Sequence, residues 1–527
     1  MEWKKLLSRS LISGKTEETP RSFRDFDISP FEKDYQQIVS MAAFRRLQDK
    51  TQVFPLAKSD FVRTRLTHSI EVSTIAKQLG LMCFQSKSKY GRQPLDGDES
   101  SDLLAERAVD IPAILACAGL LHDLGYPPFG HAGEDIIGDW FKEGLDRVKV
   151  PGKGDSLRQA LLRSGRGAQM IADLENFEGN AQALRILCKA RHQSEIDLHV
   201  STVSALIKYP TISTKIDEKG PVIRHKPGCY MAEEGIFTQI AGELGTLDPE
   251  SGVARHPLAY LVVAADDIAY CTADLEDAVK AGLVSTGELA RFFQNVTNGL
   301  ENAYHSGITD TNALIKYLKQ NRAELEQCAE EPQRPRTRSE YRRAIDYTRE
   351  LVTALATLVA SEQDKAKVMT QWVALVRSWL MYVVCYRFSK SYDEIMSGKY
   401  DGDLFHDNFH SLTVALLKQA MKKFVFNSRV IIEPEVSAQT ILSFLLDKFV
   451  PVAISYDFAQ RQGLTSQDEK LMLLISPNYI DDFTRATAEV TDEAELLYHR
   501  ILIVTDFISG MTDGYARTLY RRMSGID

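Results

Sequence analysis

The sequence predicts a mainly α-helical protein with few short strands. Apolar residues recur at steps of three and four, the spacing of a buried helix face, in four long stretches. These are TRLTHSIEVSTIAKQLGLMCF, IPAILACAGLLHDLGY, HPLAYLVVAADDIAYCTADLEDAVKAGL and DKAKVMTQWVALVRSWLMYVVCYRFSK. Strand candidates are limited to segments such as PVIRHKPGCYMA and RVIIEPEV, and the sequence contains no internal repeat.

The chain is long enough for a large core and is acidic overall. It has 527 residues, of which 44% are hydrophobic. That length corresponds to roughly two or three domain-sized units. The formal net charge of −9 argues against a general nucleic-acid binder. An anionic substrate would therefore need its own local cluster of lysine and arginine side chains.

Cysteine usage and the start of the chain both predict a cytoplasmic protein. The cysteines are spread singly, without a CxxC pair, which is typical of reduced, buried thiols. They are Cys83, Cys117, Cys188, Cys229, Cys271, Cys328 and Cys385. The first segment, MEWKKLLSRSLISGK, is positively charged but lacks the apolar stretch of a secretory signal. No apolar run reaches the length expected of a membrane span, so we expect no membrane association.

Two stretches rich in proline, glycine or charge are predicted to be loops. They are VKVPGKGDSLR, around residues 151–156, and EEPQRPRTRSEY, residues 330–341. The second predicts a division into a catalytic core, residues 1–325, and a C-terminal helical region, residues 326–527. It is equally consistent with a surface loop inside one compact body.

The strongest chemical signal is the segment LLHDLGYPPFGHAGE. It places His122 and Asp123 at the end of an apolar helix that Gly125 and two prolines terminate. An imidazole beside a carboxylate supplies ligands for a divalent metal of intermediate hardness. His-Asp is also a common dipeptide, and a second copy, His406–Asp407, lies in the polar stretch DLFHDNFH. We expect that copy to lie on the surface.

Further ligands raise the case for a metal site. His68 lies early in a helical stretch, and Asp266 and Asp267 follow an apolar run in LVVAADDIAY. A buried carboxylate pair needs a compensating charge, which a metal would provide. Positions four apart share a helix face, so Asp266 continues to polar Tyr270, whereas Asp267 continues to Cys271. We therefore predict His68, His122, Asp123 and Asp266 as metal ligands.

An imidazole and a carboxylate follow the His-Asp pair in FGHAGE. Glu134 lies three residues after His131 and within reach of its ring. A neighbouring carboxylate orients an imidazole and favours its protonated form, which suits proton transfer to or from a phosphate ester oxygen. On spacing alone, a helix N-terminal charge for Glu134 and a turn position for His131 explain the pattern equally well.

Taken together, these motifs resemble the deoxyguanosine triphosphate triphosphohydrolase family of the HD superfamily. The segments that carry the resemblance are RRLQDKTQVFPL, RTRLTHS, HDLGYPPFGHAGE, NFEGNAQALRI, ADDIAY and FISGMTDGYA. The resemblance implies an all-α HD-domain fold with additional C-terminal helices. It also implies hydrolysis of a deoxynucleoside triphosphate, above all dGTP, to deoxynucleoside and inorganic triphosphate. One divalent metal ion, Mn²⁺ or Mg²⁺, and catalytic roles for His131 and Glu134 belong to the same expectation.

The resemblance also implies a set of substrate contacts. Arg65 and the lysines would bind the phosphates, and Tyr270 would pack against the deoxyribose where a 2′-hydroxyl would clash. Pro227 interrupts the family pattern next to Lys226. The full expected set is Gln52, Arg65, Asn180, Lys208, Tyr209, Lys226, Tyr270 and Asp274.

Two other functions fit part of the pattern. One is a different HD phosphohydrolase, acting on a nucleoside monophosphate, a cyclic nucleotide or an alarmone. The other is a non-catalytic regulator that binds a nucleotide or DNA. The family resemblance further implies a homo-oligomer, with a hexamer as one candidate size, and allows single-stranded DNA as a regulator.

Overall fold

The computed structural model describes most of the chain. The described residues are 1–15, 28–53, 62–84, 107, 109–193, 196–248, 252–305, 338–405, 411–458, 460 and 462–526. The second His-Asp pair, residues 406–407, lies outside these ranges, as do Cys328 and most of the loop predicted at residues 330–341. The last four residues of that predicted loop, 338–341, are helical.

Helices make up nearly all of the regular structure in the described ranges. In the first 305 residues they are α1 (Trp3–Leu6), α2 (Phe31–Ser40), α3 (Ala42–Arg46), α4 (Arg65–Phe84), α5 (Asp110–Leu121), α6 (Gly130–Arg147), α7 (Leu157–Leu161), α8 (Gly167–Glu175), α9 (Gly179–Gln193), α10 (Val200–Leu206), α11 (Glu234–Leu244), α12 (Pro257–Lys280) and α13 (Thr286–His305). Short 3₁₀ helices occupy Leu47–Asp49, Ser213–Lys215, Val222–Arg224 and Met231–Glu233.

The described part of the C-terminal region is also helical. Its helices are α14 (Arg338–Ser361), α15 (Lys365–Lys390), α16 (Tyr392–Met396), α17 (Ser411–Met421), α18 (Arg429–Ser455), α19 (Ser466–Met472), α20 (Pro477–Ala486), α21 (Glu493–Ser509) and α22 (Asp513–Met523), with a π-helical turn at Lys422–Phe426. Two residues each form β1 (Leu247–Asp248) and β2 (Gly252–Val253), which pair antiparallel. The prediction of a mainly α fold is confirmed.

Helix α5 lies at the centre of the fold. All of its residues are buried, and it packs against α2, α4, α10 and α12. Gly119 permits the closest of these contacts, because a Cβ atom there would lie 2.7 Å from the Ser73 backbone of α4. A helix that is apolar on all sides is stable only where neighbours cover every side. The end of α5 is thereby fixed against α4.

Three apolar clusters form the core. The first surrounds α4, α12 and α15, and the third surrounds α9, α11 and the end of α5. The second joins α6 and α8 to α18 and α21. The first and second clusters thus contain residues from both sides of the division predicted at residues 325–326, and that division stays a prediction.

Both strand candidates are wrong. The segment RVIIEPEV begins α18, which continues through Pro434. Its β-branched residues favour a strand locally, but Ile431, Ala438 and Leu442 are buried at helical spacing. In the other candidate, Val222–Arg224 form a single 3₁₀ turn, and Cys229 makes only an isolated bridge with Ile212. Tertiary packing overrides the local preference in both places.

The loop predicted around residues 151–156 is confirmed as a turn. Lys149 and Ser156 pair across it, and Gly152 and Gly154 adopt positive φ angles of 72° and 73°. Ser156 then begins α7 with a capping box in which its hydroxyl accepts from the Gln159 N–H.

Two of the described helices are long and apolar enough to be compared with membrane spans. By length and composition alone, Lys365–Lys390 and Arg429–Ser455 could each cross a membrane. About half of the most apolar part of each, 50% and 56%, is buried inside the protein. The expectation that no apolar run is long enough to cross a membrane is therefore wrong. Core helices of comparable length meet the same criterion, so these two helices are weak evidence for a membrane span.

No disulfide joins the six cysteines that the structure describes. Five of them are buried and Cys385 is half-buried, with its Sγ 3.1 Å from that of Cys83. The pattern of buried thiols predicted from the sequence is therefore found in the described residues.

Candidate active site

The close packing of α4 on α5 brings two histidines together. His122 is the first residue beyond α5, and His68 lies in the first turn of α4. Their ring centroids are 5.2 Å apart, and the ring planes are inclined at 62° to each other. Helix α12, which packs against both α4 and α5, adds Asp266 from its middle.

The side chains predicted as metal ligands converge at this point. The Nε2 atoms of His68 and His122 lie 3.2 Å and 3.6 Å from Asp266 Oδ1. His122 Nε2 also lies 3.3 Å from Asp123 Oδ1. One potential ligand atom from each of His68, His122 and Asp266 falls within 4.8 Å of the others. Ligands of a small divalent ion, each about 2.1 Å from it, have this mutual spacing.

The hydrogen bonds of His122 leave one ring nitrogen available for a cation. Its Nδ1 lies 2.8 Å from the Gly119 carbonyl. A carbonyl only accepts, so Nδ1 must carry the proton, and a neutral ring then has its lone pair on Nε2. Nε2 is buried without a hydrogen-bond partner among the described residues. Metal-bound histidines commonly donate their other nitrogen to a carbonyl in this way, so the residues fit a divalent ion.

The electrostatics of the cluster also fit a cation. Burial favours the neutral form of Asp266, yet the electrostatic interaction with nearby His122 and the hydrogen bond with His68 lower its pKa far below the usual range. Burial opposes protonation of His68, but the hydrogen bond to Asp266 and the Asp123 charge raise its pKa. The buried carboxylates thus stabilise positive charge at this point, which a bound metal ion would supply.

The two neighbouring aspartates have different partners. Asp266 faces the histidines, whereas Asp267 Oδ1 lies 3.2 Å from Lys418 Nζ of α17. The face predicted for Asp266 contains Tyr270 and Asp274, and the one predicted for Asp267 contains Cys271, which is 1% exposed. The structure thereby places the two side chains in the separate environments that the helix periodicity predicts.

We expect Asp266→Ala to lower turnover by roughly 10³-fold with loss of metal binding, since several kcal/mol of transition-state stabilisation depend on the ion. Asp267→Ala is the matched control, because it removes a carboxylate one residue away that pairs with Lys418. Calorimetric Mn²⁺ titration and turnover of both variants test the assignment. A variant pair in which Asp267→Ala loses the metal and Asp266→Ala keeps it would reverse it.

Arg65 is buried next to the candidate metal site. Its Nη1 lies 2.8 Å from Asp123 Oδ2, and its guanidinium carbon lies 4.1 Å from the centre of the Tyr126 ring. Gly130 makes room for it, since a Cβ there would approach Arg65 Nη2 to 2.6 Å. Arg65 therefore holds a fixed position, and part of its charge compensates Asp123.

His131 and Glu134 form the predicted pair. His131 Nδ1 lies 2.8 Å from Glu134 Oε2, and the histidine side chain is 70% exposed whereas that of Glu134 is 5% exposed. Glu134 is itself fixed, because its Oε1 accepts from the Gly179 N–H at 2.6 Å. The buried carboxylate orients the ring, and His131 Nε2, on the other side of the ring, lies 3.5 Å from the Tyr126 hydroxyl oxygen.

The remaining predicted contacts fall into two groups. Lys208 lies near Asp266: burial opposes its charge, but nearby Tyr209 and Asp266 raise its pKa. On the other side, Lys226 Nζ and Asn180 Nδ2 both contact Glu178, at 2.7 Å and 2.5 Å. Glu178 is the residue before Gly179, whose N–H donates to Glu134. Lys226 and Asn180 therefore lie next to the His131–Glu134 pair.

The residues predicted to contact the sugar, Gln52, Tyr270 and Asp274, have different surroundings. Tyr270 stacks on Phe426, with ring planes 16° apart. Asp274 is 1% exposed, and burial raises its pKa to about 8. Two oxygen atoms, Gln52 Oε1 and Asp274 Oδ2, are buried without a hydrogen-bond partner among the described residues. Each therefore has an acceptor available for a hydroxyl group.

Several residues at the site were not anticipated from the sequence. They are Tyr126, Glu178, Lys418, Phe426 and Asp513. Tyr126, Glu178 and Asp513 lie inside the segments HDLGYPPFGHAGE, NFEGNAQALRI and FISGMTDGYA. The motifs therefore mark the positions of these residues without indicating their contacts. Lys418 and Phe426 lie in no such motif, and only the packing of α17 and the π-helical turn onto α12 reveals them.

Comparisons with known proteins show which family this chain is similar to. Residues 65–209 match a family model described as HD domain. A deoxyguanosinetriphosphate triphosphohydrolase-like protein of Listeria monocytogenes is 38% identical over 532 residues, covering 100% of both chains. A probable deoxyguanosinetriphosphate triphosphohydrolase of Pseudomonas aeruginosa is 29% identical, covering 94% of this chain and 93% of its own. A deoxyguanosinetriphosphate triphosphohydrolase of Serratia proteamaculans is 28% identical, covering 95% and 94%.

Proposed function

This chain belongs to the family of deoxyguanosinetriphosphate triphosphohydrolase-like proteins, and from that premise we propose that it hydrolyses a deoxynucleoside triphosphate. The proposed products are deoxynucleoside and inorganic triphosphate, and the preferred substrate is dGTP. One observation carries the proposal: Arg65 and Tyr126 connect the two predicted groups, since Arg65 contacts Asp123 at 2.8 Å and lies on the Tyr126 ring, whose centroid is 4.9 Å from that of His131.

The donor set specifies the class of metal. Two imidazoles and two carboxylates suit a divalent ion of intermediate hardness, and we propose Mn²⁺ or Mg²⁺. When bound, such an ion polarises a phosphoryl oxygen and lowers the pKa of a water molecule. His68, His122, Asp123 and Asp266 would hold it.

The chain's own residues supply the binding and the proton transfer. Lys208, Lys226 and Arg65 neutralise the charge that the triphosphate carries. Water attacks the α-phosphorus, the bond to the 5′ oxygen breaks, and the 5′ oxygen takes up a proton. His131 Nε2 is the group that moves a proton in this step, and Glu134 stabilises the ring while it is charged.

Discrimination against ribonucleotides would come from α12. The Tyr270 ring, held by Phe426, packs against the deoxyribose face, where a 2′-hydroxyl would clash. Asp274 and Gln52 have buried acceptor oxygens that can accept from the sugar's remaining hydroxyl. These acceptors would select for a sugar that carries the 3′-hydroxyl, so the exclusion of ribose depends on Tyr270.

The product assay tests the proposal directly. The full chain is incubated with each deoxynucleoside triphosphate and Mn²⁺, and the products are separated, with a chelator-treated sample as control. Release of intact triphosphate is expected. Release of pyrophosphate or orthophosphate, or turnover only of a nucleoside monophosphate, a cyclic nucleotide or an alarmone, would favour a different HD phosphohydrolase. Binding without turnover would favour the regulator.

Arg65→Ala is expected to raise the KM for the triphosphate by roughly 10- to 100-fold, the worth of one charge-assisted hydrogen bond. kcat should change less, because this charge acts on the bound substrate as well as on the transition state. Steady-state kinetics and a thermal melt are measured together, since the variant leaves Asp123 without its partner. A fall in kcat at constant KM would place Arg65 in the chemical step.

We also propose a cytoplasmic homo-oligomer that single-stranded DNA can regulate. The overall charge of −9 argues against DNA as the substrate, so regulation would act through a local surface. Light scattering of the purified chain, with and without an oligonucleotide, measures the oligomer size and the effect of DNA on it.

A further inference from the structure

Asp513 is the first residue of α22, far along the chain from the candidate active site, yet it contacts that site's framework. Its side chain is 2% exposed and accepts three hydrogen bonds. Oδ1 accepts from the Phe129 N–H at 3.0 Å, and Oδ2 accepts from the Thr51 N–H at 3.0 Å. The Thr51 hydroxyl donates to the same oxygen.

Phe129 has an unfavourable backbone conformation directly before the catalytic pair. With φ at 65°, it is the sole non-glycine residue with positive φ among the described ranges. Gly130 follows with φ at 63°, and α6 then carries His131 and Glu134. A residue with a Cβ atom remains in this region only where its surroundings hold it there. The Asp513 carboxylate holds the Phe129 amide.

Thr51 connects the same carboxylate to two predicted substrate contacts. It precedes Gln52 and pairs with Thr64 in an isolated bridge. Next to it, the Lys50 carbonyl accepts from the Arg65 N–H at 3.1 Å. Displacing Thr51 would therefore shift both Gln52 and Arg65.

Buried Lys50 stabilises the same region, where α21 ends and α22 begins. Lys50 Nζ donates to the Tyr126 carbonyl at 2.6 Å and to the Ser509 carbonyl at 2.7 Å. Ser509 ends α21 and Asp513 begins α22. The corner between these helices thus contacts both the segment at residues 50–52 and the turn at residues 126–130.

We propose that Asp513 is a positioning residue that fixes the turn before His131 and the segment before Gln52 relative to each other. The proposal rests on the proposed function. A carboxylate is required because donors approach both of its oxygens. An asparagine would retain one acceptor and present an N–H to the other donor, so one of the two segments would lose its contact.

Asp513→Asn is expected to lower kcat by roughly 10- to 100-fold, because small displacements of catalytic groups carry penalties of this size. Mn²⁺ affinity should stay within about twofold, since no metal ligand contacts Asp513. In the His131→Ala background the same substitution should have little further effect on kcat, because its effect on the proton transfer acts through His131, whereas a rise in KM through Gln52 and Arg65 should remain. Additive losses, or an unchanged kcat with a lowered melting temperature, would overturn the proposal.

Asp492→Asn is the matched control. Asp492 caps α21 by accepting from the Ala494 and Glu495 N–H groups, and it is exposed. The variant should leave kcat unchanged. If Asp513→Asn does not fold, Thr51→Val replaces it, since it removes only the hydroxyl donor and should lower kcat several-fold with the fold intact.

Hydrogen exchange separates failure of this proposal from failure of the proposed function. Amides of residues 126–134 should exchange faster in Asp513→Asn, while those of α5 stay protected. A wild-type chain that releases no triphosphate would defeat the proposed function alone. Unchanged exchange at residues 126–134 would defeat the positioning role whether or not the chain is active.

Discussion

His122→Ala is expected to abolish Mn²⁺ binding and to lower turnover by at least ~10³-fold, the contribution of a metal ion that stabilises several kcal/mol of transition-state charge. His122 lies beyond the last turn of α5, so the helix should keep its structure. Calorimetry with Mn²⁺, circular dichroism and the triphosphate-release assay measure the three quantities.

Asp123→Ala should lose the metal as well, but with a stability penalty. It leaves the buried Arg65 guanidinium without its carboxylate, and breaking a buried ion pair costs about 3–5 kcal/mol. Asp123→Asn limits that penalty. His305→Ala, at the exposed end of α13, is the control. Near-wild-type activity in His122→Ala or in Asp123→Asn would remove the substituted residue from the ligand set.

His131→Ala is expected to lower kcat by roughly 10²- to 10⁴-fold, the usual loss on removing a general acid or base. Because the side chain is 70% exposed, its removal should not change the melting temperature. Mn²⁺ affinity should also stay constant, since His131 lies outside the ligand cluster. Loss of the metal in this variant would contradict the division between ligands and proton-transfer group.

Glu134→Gln should lower kcat less than His131→Ala, because Glu134 only orients and stabilises the ring. The amide also keeps an acceptor for the Gly179 N–H, which Glu134→Ala would not. The double variant should lose much less than the product of the two single losses, since the pair acts as one unit. Losses that simply multiply would show that the two residues act independently.

The sequence alone predicts the helical fold and the groups at its centre because both follow from local spacing. The apolar run of α5 ends where glycine and proline follow, which locates His122 and Asp123 at a helix end. The four-residue periodicity separates Asp266 from Asp267. These features need no knowledge of the tertiary structure.

Other features depend on contacts that no local pattern contains. The β-branched segment at residues 429–436 forms the first turns of α18 although only Ile431 of it is a buried hydrophobic residue, because the later residues of the same helix pack against α6 and α21. Asp513 contacts Phe129 across 384 positions of sequence. Its motif marks it as unusual, but its partners are visible only in three dimensions. The ion pair between Arg65 and Asp123 is another such contact. The three-residue spacing of Arg65 and His68 does not predict it.

The second apolar cluster has a consequence for the order of events during synthesis. Helix α6, whose first turn contains His131 and Glu134, packs against α18, and its residues Ile137 and Phe141 are buried in this cluster. Roughly 300 residues separate α6 from α18, and at about 5–20 residues per second a ribosome needs roughly 15 to 60 seconds to add them. Throughout that interval only α7 and α8 can cover α6, and the part of its apolar face that packs against α18 stays exposed. Full packing of α6 therefore waits until α18 has been made, and chaperones could bind its exposed apolar face in this interval.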